Sequence, residues 1–414
     1  MRSSTEVGRL AAAAAVAALL AGSLAGCGGP ANASEGSPVK VMTWAPEDGS
    51  VGSQAGVTAL AEVISQQVNA NGGLQGRTLQ VLTCDEHNSL NGAVACADQA
   101  VAEHVDAVVG SYSQFGEAFM PVLEAGGVPY LGGFGLSSQE FSSPYSYPVN
   151  GGYQSLLAGN GEQLAESGCR RVAVVRPQTT VGETMLAFLE VGLASKHVTA
   201  VDIPAQPGRT DYTTEAATAI GADLPHSCVT TALDPASTAT FFDDYRRESP
   251  RNTQLSSVIG SVQQSLVDST GGASGPLKNV LATGWYPPDS SKVWDGLHAT
   301  IKKYAFTDNR INAADPGEQT TWIAYEVLQQ AVARIQGPID TQSIRNVLNE
   351  GGPITTGGQT PPLSWRMSDM LPLVSAPRLV NTQVSFQQVE SGELTEPGSA
   401  AVDVRSLLIR SSGN

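Results

Sequence analysis

Short apolar runs alternate along this chain with longer stretches whose apolar residues recur at helical spacing. Val39-Lys40-Val41-Met42-Thr43-Trp44 is a strand pattern, Gly56 to Asn69 a helical one, and Thr78-Leu79-Gln80-Val81-Leu82-Thr83 a strand again. The spacing then predicts a helix from Leu90 to Glu103, a buried strand at Ala107-Val108-Val109-Gly110, a helix from Ala118 to Gly126, and a strand at Val128-Pro129-Tyr130-Leu131. Strands separated by helices must run parallel and be covered on both faces, through right-handed crossovers.

The alternation begins again at Gln154, with helices at Gln154 to Ser167, Gly182 to Ser195 and Thr214 to Ile220. Between and after them fall strands at Arg171 to Val175, Val198 to Ile203, Cys228 to Leu233, Leu255 to Gly260 and Val280 to Thr283. Two alternating units predict an α/β protein of two doubly wound, parallel-sheet lobes. Pro144 to Gly152 is the first crossing between them. Amphipathic stretches at Ser290 to Tyr304, Thr320 to Ile335 and Thr341 to Asn349 return to the first lobe.

Composition narrows the function. The 414 residues are 41% hydrophobic, enough for large cores, and the net charge of -16 repels polyphosphate, which argues against nucleic acid as a partner. Residues 1–26 read as a secretory signal: Arg2 and Arg9, then an apolar run of about 11 residues, shorter than the roughly 20 of a spanning helix, then small residues. Leu24-Ala25-Gly26-Cys27 resembles the bacterial lipobox, which makes Cys27 the acylated residue and 27–37, rich in Gly, Ser and Pro, a tether. The protein is then expected at the extracytoplasmic face of the cytoplasmic membrane, held by a lipid. Export makes Cys84, Cys96, Cys169 and Cys228 disulfide candidates, with three pairings open. Pairing of sequence neighbours, Cys84 with Cys96 and Cys169 with Cys228, is favoured, because Cys84 closes a strand with Cys96 on the next helix while Cys169 and Cys228 each sit just before an apolar strand; a zinc site is the rival, without any Cys-x-x-Cys to support it.

Several segments in order resemble the type I solute-binding proteins of ABC importers, in the branched-chain amino-acid-binding branch. They include Asn69-Ala70-Asn71-Gly72-Gly73-Leu74, Cys84-Asp85, Ala107-Val108-Val109-Gly110-Ser111, Asp211-Tyr212-Thr213, Pro361-Pro362-Leu363-Ser364-Trp365 and Pro377-Arg378-Leu379-Val380-Asn381. The resemblance implies three crossings, with one lobe from 38–146 and 285–375, another from 147–284 and 376–414, and a ligand cleft between them. It implies a monomer that delivers a small molecule to ABC permease subunits. A sensor that reports ligand to a membrane receptor or kinase through the same fold is the alternative.

By the same resemblance, Ser111 and Ser113 form the loop that meets a ligand carboxylate, and backbone groups near Phe134 assist. Leu136 stands where the family has Thr, with Ser137 adjacent. In the second lobe Val181 replaces an aromatic wall, while Gln263 occupies roughly the place of the carboxylate that meets an ammonium group, with Asp234 the nearest alternative; Asp234 followed by Pro235 also reads as an exposed turn. Tyr286 lies near the second crossing. Without a clear carboxylate partner an ammonium is costly to bury, so the expected ligand bears a carboxylate or amide, and leucine, isoleucine and valine bind weakly. No cofactor, metal or enzymatic activity is expected. The five histidines lack metalloprotease spacing, there is no Gly-x-Ser-x-Gly, and consecutive residues in Cys84-Asp85-Glu86-His87 should point apart.

Overall fold

The computed structural model describes residues 36–48, 53–258, 262–398 and 401–411. The signal, Cys27 and most of the tether lie outside the described residues. Among those described, no helix is long and apolar enough to cross a membrane.

Five parallel strands form the first sheet: β1 Val39–Ala45, β2 Leu79–Asp85, β3 Ala107–Val109, β4 Tyr130–Leu131 and β5 Ser146–Tyr147, in the order β2-β1-β3-β4-β5. The strand β1 is buried along nearly its whole length, as a strand covered on both faces must be. One face packs under Trp44, whose ring meets Phe119 edge-on at 5.2 Å. The turn into β2 depends on glycine. Gly73 has φ 74° and donates its N–H to Val68 O at 2.9 Å. A Cβ there would fall 2.1 Å from Arg77 O.

The second sheet contains β6 Arg171–Pro177, β7 Thr199–Ala205, β8 Ser227–Thr231, β9 Gln254–Ser257, β10 Leu281–Gly284, β11 Gln383–Glu390 and β12 Glu393–Thr395, in the order β12-β11-β10-β9-β8-β6-β7. The short β13 Val402–Asp403 pairs with β11. Strands β6 to β10 are parallel, whereas β11 runs antiparallel to β10. Because β6 and β8 are neighbours, Cys228 sits opposite Val172 and beside Cys169, with which it forms a disulfide. A second disulfide joins Cys84 on β2 to Cys96 on the following helix.

The chain passes between the sheets three times: after β5, after β10 and before β11. The helices Asp295–Tyr304 and Pro316–Arg334 both pack on helix Ala55–Ala70 beside the first sheet. Buried side chains lace the crossings together. Trp285 Nε1 donates to Gly152 O at 2.8 Å, and Asn381 Nδ2 donates to Val149 O at 3.0 Å.

Three local expectations need correction. Asp234-Pro235 is no exposed turn: it starts the helix Pro235–Arg247, with Asp234 half-buried as its N-cap. The strands β11 to β13 had no counterpart in the periodicity. The residues after Cys84 do not all diverge, because His87 and Asn88 take φ of 51° and 46° and turn the chain back, placing His87 Nδ1 2.9 Å from Asp85 Oδ2.

Candidate functional site

At the carboxyl edge of the first sheet, the loop after β3 is pressed against helix Pro316–Arg334. Gly110 has φ 64°, a Cβ on it would lie 2.8 Å from Thr321 Cα, and Thr321 Oγ1 donates to Gly110 O at 2.6 Å. That packing fixes the two candidate serines inward. Ser111 Oγ accepts from Trp44 N–H and Ser113 Oγ accepts from Phe115 N–H, each at 3.1 Å, and both residues are buried. Ser113 also lies beside Glu86, a buried glutamate whose carboxylate oxygens have no hydrogen bond of good geometry. Burial pushes the Glu86 carboxyl up to about 7, and the charges of Glu140 and Asp85 add to the rise while Ser113 opposes it.

The loop after β4 is satisfied from within. Glu140 accepts from the N–H groups of Gly135, Leu136 and Ser137 at 3.2, 3.2 and 2.9 Å, and from the Ser137 hydroxyl at 2.9 Å. Ser137 in turn caps the short helix Ser138–Ser142, completing a capping box with Glu140. Glycine makes room for this carboxylate, since a Cβ on Gly133 would fall 2.6 Å from Glu140 Oε1. Burial pushes the Glu140 carboxyl up against these hydrogen bonds. The N–H groups of Gly135 to Ser137 are therefore already taken by Glu140, whereas Ser113, whose Oγ accepts from Phe115 N–H, keeps its own hydroxyl proton to donate.

Phe134 joins an aromatic row instead. Its ring stands 4.5 Å from Tyr112 and 5.0 Å from Trp285, whose neighbour Tyr286 shares a hydrogen bond of 2.9 Å with the Thr320 hydroxyl.

The second sheet presents a plainer edge. Thr179 caps helix Thr180–Leu193 by accepting from Gly182 N–H at 3.1 Å, which leaves Val181 47% exposed. Asp234 Oδ1 accepts from Ser237 N–H at 2.9 Å. Gln263 reaches the other lobe, its Oε1 accepting from Asn312 Nδ2 at 3.0 Å.

Two cavities open between the sheets. The smaller, about 130 Å³, is lined by Gln263, Trp285, Tyr286, Asp289, Gln319 and Gln387. The larger, about 1050 Å³, is lined by Leu136, Ser137, Tyr153, Val181, Phe188 and Leu373 among others. The eight candidate residues are thus divided: Gln263 and Tyr286 border one cavity and Ser137 and Val181 the other, while Ser111, Ser113, Phe134 and Asp234 border neither. Sequence reasoning missed Glu140, Tyr153 and Phe188. Only Glu140 left a local signal, in Ser137-Ser138-Gln139-Glu140.

Solved structures share this architecture at low identity. A leucine binding protein from Thermotoga maritima MSB8 is 16% identical, with 88% of this chain and 99% of that chain covered, at a TM-score of 0.70. A fatty acid ABC transporter substrate-binding protein from Thermomonospora curvata is 13% identical, covers 90% and 96%, and scores 0.72. A solute binding protein of an ABC transporter from Rhodopseudomonas palustris BisB5, in complex with 3,4-dihydroxy benzoic acid, is 17% identical, covers 89% and 97%, and scores 0.69. No curated protein matches the sequence. Residues 38–369 match the periplasmic binding protein family. With one parallel and one largely parallel sheet on either side of a cleft and a match over most of its length, the chain belongs to the periplasmic binding protein family.

Proposed function

We propose that this protein is the lipid-anchored, extracytoplasmic solute-binding subunit of an ABC importer, capturing a small organic molecule between its lobes and presenting it to the permeases as a monomer. The observation that carries this reading is the pair of facing sheets, whose carboxyl edges border two cavities between them, the place where open parallel sheets take ligands. The structural neighbours named for leucine, a fatty acid and a dihydroxybenzoic acid support a fold that accepts varied solutes. The internal use of the Gly135 to Ser137 backbone N–H groups favours, of the two ligand classes, the amide over the carboxylate.

The lobes move as 38–146 with 285–375 against 147–284 with 376–414, closing on ligand about the three crossings. A melting-temperature screen with amides, amino acids, amines and aromatic acids identifies a binder, since a ligand held only by the folded state raises that temperature. X-ray scattering with that binder should then give a smaller radius of gyration. A panel that leaves both the melting temperature and the radius unchanged would overturn the reading. Cys27→Ala should move the protein from the membrane to the soluble fraction, and equal retention of both proteins would refute the anchor.

A further inference from the structure

The larger cavity carries information about its ligand. Its walls are mostly apolar: Leu136 comes from the first sheet's loops, Tyr153, Val181, Phe188 and Val191 from the second lobe's helices, and Leu373 from the third crossing. Tyr153 and Phe188 stack edge-on with ring centres 5.9 Å apart. Val374, 93% exposed, and Val181, 47% exposed, stand at the rim with apolar surface that none of the described residues covers. A ligand with an apolar body would cover it.

Charge then selects among apolar ligands. The carboxylates in the lining are Glu117 and Glu190, and among the described residues no Lys, Arg or His lines this cavity. Glu117 sits on the first lobe and Glu190 on the second, so closure brings carboxylates from both sides toward one occupant. Glu117 accepts from the Ser138 N–H and hydroxyl, at 3.2 and 2.6 Å, through Oε1 alone. Its charge is felt inside the cavity: burial first, and Glu117 second, push the Tyr153 phenol up. The backbone donors of this edge that would attract an anion are filled by Glu140. An anionic ligand would meet two carboxylates here, with only the first N–H groups of helix Thr180–Leu193 in its favour, whereas a cation would meet two carboxylates beside two aromatic side chains.

We propose that the larger interlobe cavity binds an organic cation, an apolar or aromatic body bearing an ammonium group, and that the cleft rejects carboxylates of the same shape. The inference rests on the solute-binding reading and names its ligand class.

Calorimetry of the full-length protein with three probes of one shape, phenylpropylammonium, phenylpropanamide and phenylpropanoate, tests it. The ammonium should bind at least about tenfold more tightly than the carboxylate, with the amide between them. Glu117→Gln with Glu190→Gln should weaken the ammonium by about three- to tenfold and leave the amide unchanged, because each exposed charge pair contributes modestly. Gln at position 117 still offers an acceptor to Ser138, so the fold is retained. Val181→Ser with Val374→Ser should weaken all bound probes, and Gln263→Ala, in the smaller cavity, none of them.

Failure of the ammonium to bind, or a carboxylate that binds as tightly, overturns the inference. So does a Gln263→Ala variant that weakens the ammonium while the valine variants do not. Tight binding of the amide or the acid with a reduced radius of gyration would leave the solute-binding reading standing while removing the ligand class.

Discussion

The carboxyl edges of the two sheets are made from the same kind of strand-to-helix loop, yet they treat their polar groups in opposite ways. On the first edge, Ser111, Ser113, Ser137 and the N–H groups of Gly135 to Ser137 are all bonded within the protein, around the buried carboxyls of Glu86, Glu140 and Glu318. On the second, Thr179 and Asp234 do no more than cap their helices, Val181 is left in solvent, and Gln263 reaches out to the opposite lobe. The first edge is a preorganised platform containing groups that resist ionisation. The second holds its side chains loosely enough that they can change without disturbing the fold. The rigid, internally bonded groups therefore belong to the first lobe, and the freer side chains to the second.

Cross-links differ between the lobes as well, and breaking them should give the largest effects. On a chain-entropy view, Cys169→Ser with Cys228→Ser, which opens a span of 59 residues, should cost about 4 kcal/mol, against about 3 kcal/mol for the span of 12 between Cys84 and Cys96. Denaturant melts of the two double variants check the order. A first-lobe variant that proves the less stable would reverse the assignment of the more constrained unfolded chain.

The buried acids of the first edge should show in the pH profile. Glu86 has its carboxyl raised to about 7 and Glu318 to about 9, the latter by burial and by the charge of Asp315. A raised folded-state value means the folded protein holds the proton more tightly than the unfolded chain. The stability this provides is whole below the ordinary glutamate range and is lost as pH climbs through the folded value. For Glu86 the loss between pH 5 and pH 8 is on the order of 3 kcal/mol. Glu86→Gln should flatten that part of the profile and be the more stable protein at pH 8. An unchanged slope would place the titration elsewhere.

Smaller effects are expected on the second edge. Asp234→Ala removes the cap of helix Pro235–Arg247 and should cost about 1 kcal/mol in urea melts. Val181→Ser should leave stability within about 0.5 kcal/mol of the parent, since the side chain is half in solvent. A large loss there would mean the second edge is as tightly built as the first.

Most of the alternation of strand and helix was legible because the central strands β1, β3 and β6 are apolar runs that the parallel sheet buries on both faces, while the edge strands β2 and β7 still carry apolar residues between helical stretches. The disulfides followed from where the cysteines fall relative to neighbouring strands. The strand β11 was not legible because its inward side carries Ser385 and Gln387, buried by tertiary hydrogen bonds such as Gln387 Nε2 to Tyr286 O at 2.9 Å, and so shows no clean alternation. Helix Pro235–Arg247 was hidden by reading Asp234-Pro235 as a turn, although a capping Asp before Pro at the first helical position is equally a helix start. At the candidate site, the family's positions could be found by order along the chain, but whether a serine hydroxyl points to ligand or to Trp44 and Phe115 depends on packing over 67 residues of separation in the first case. The role of Glu140 was half written, since its bond to Ser137 is local while those to Gly135 and Leu136 depend on how the loop folds over it.

The laced crossings have a mechanical consequence. A joint of one strand can bend, twist and slide, but three strands tied by Trp285 to Gly152 and by Asn381 to Val149 should resist twist and shear more than bending. Spin-label distances between the lobes should then trace a single arc, and replacing Asn381 with Ala should broaden it. A membrane partner meeting this protein would have one angle to read, so that loaded and empty forms differ as a closed and an open book differ, along one coordinate with little room for error.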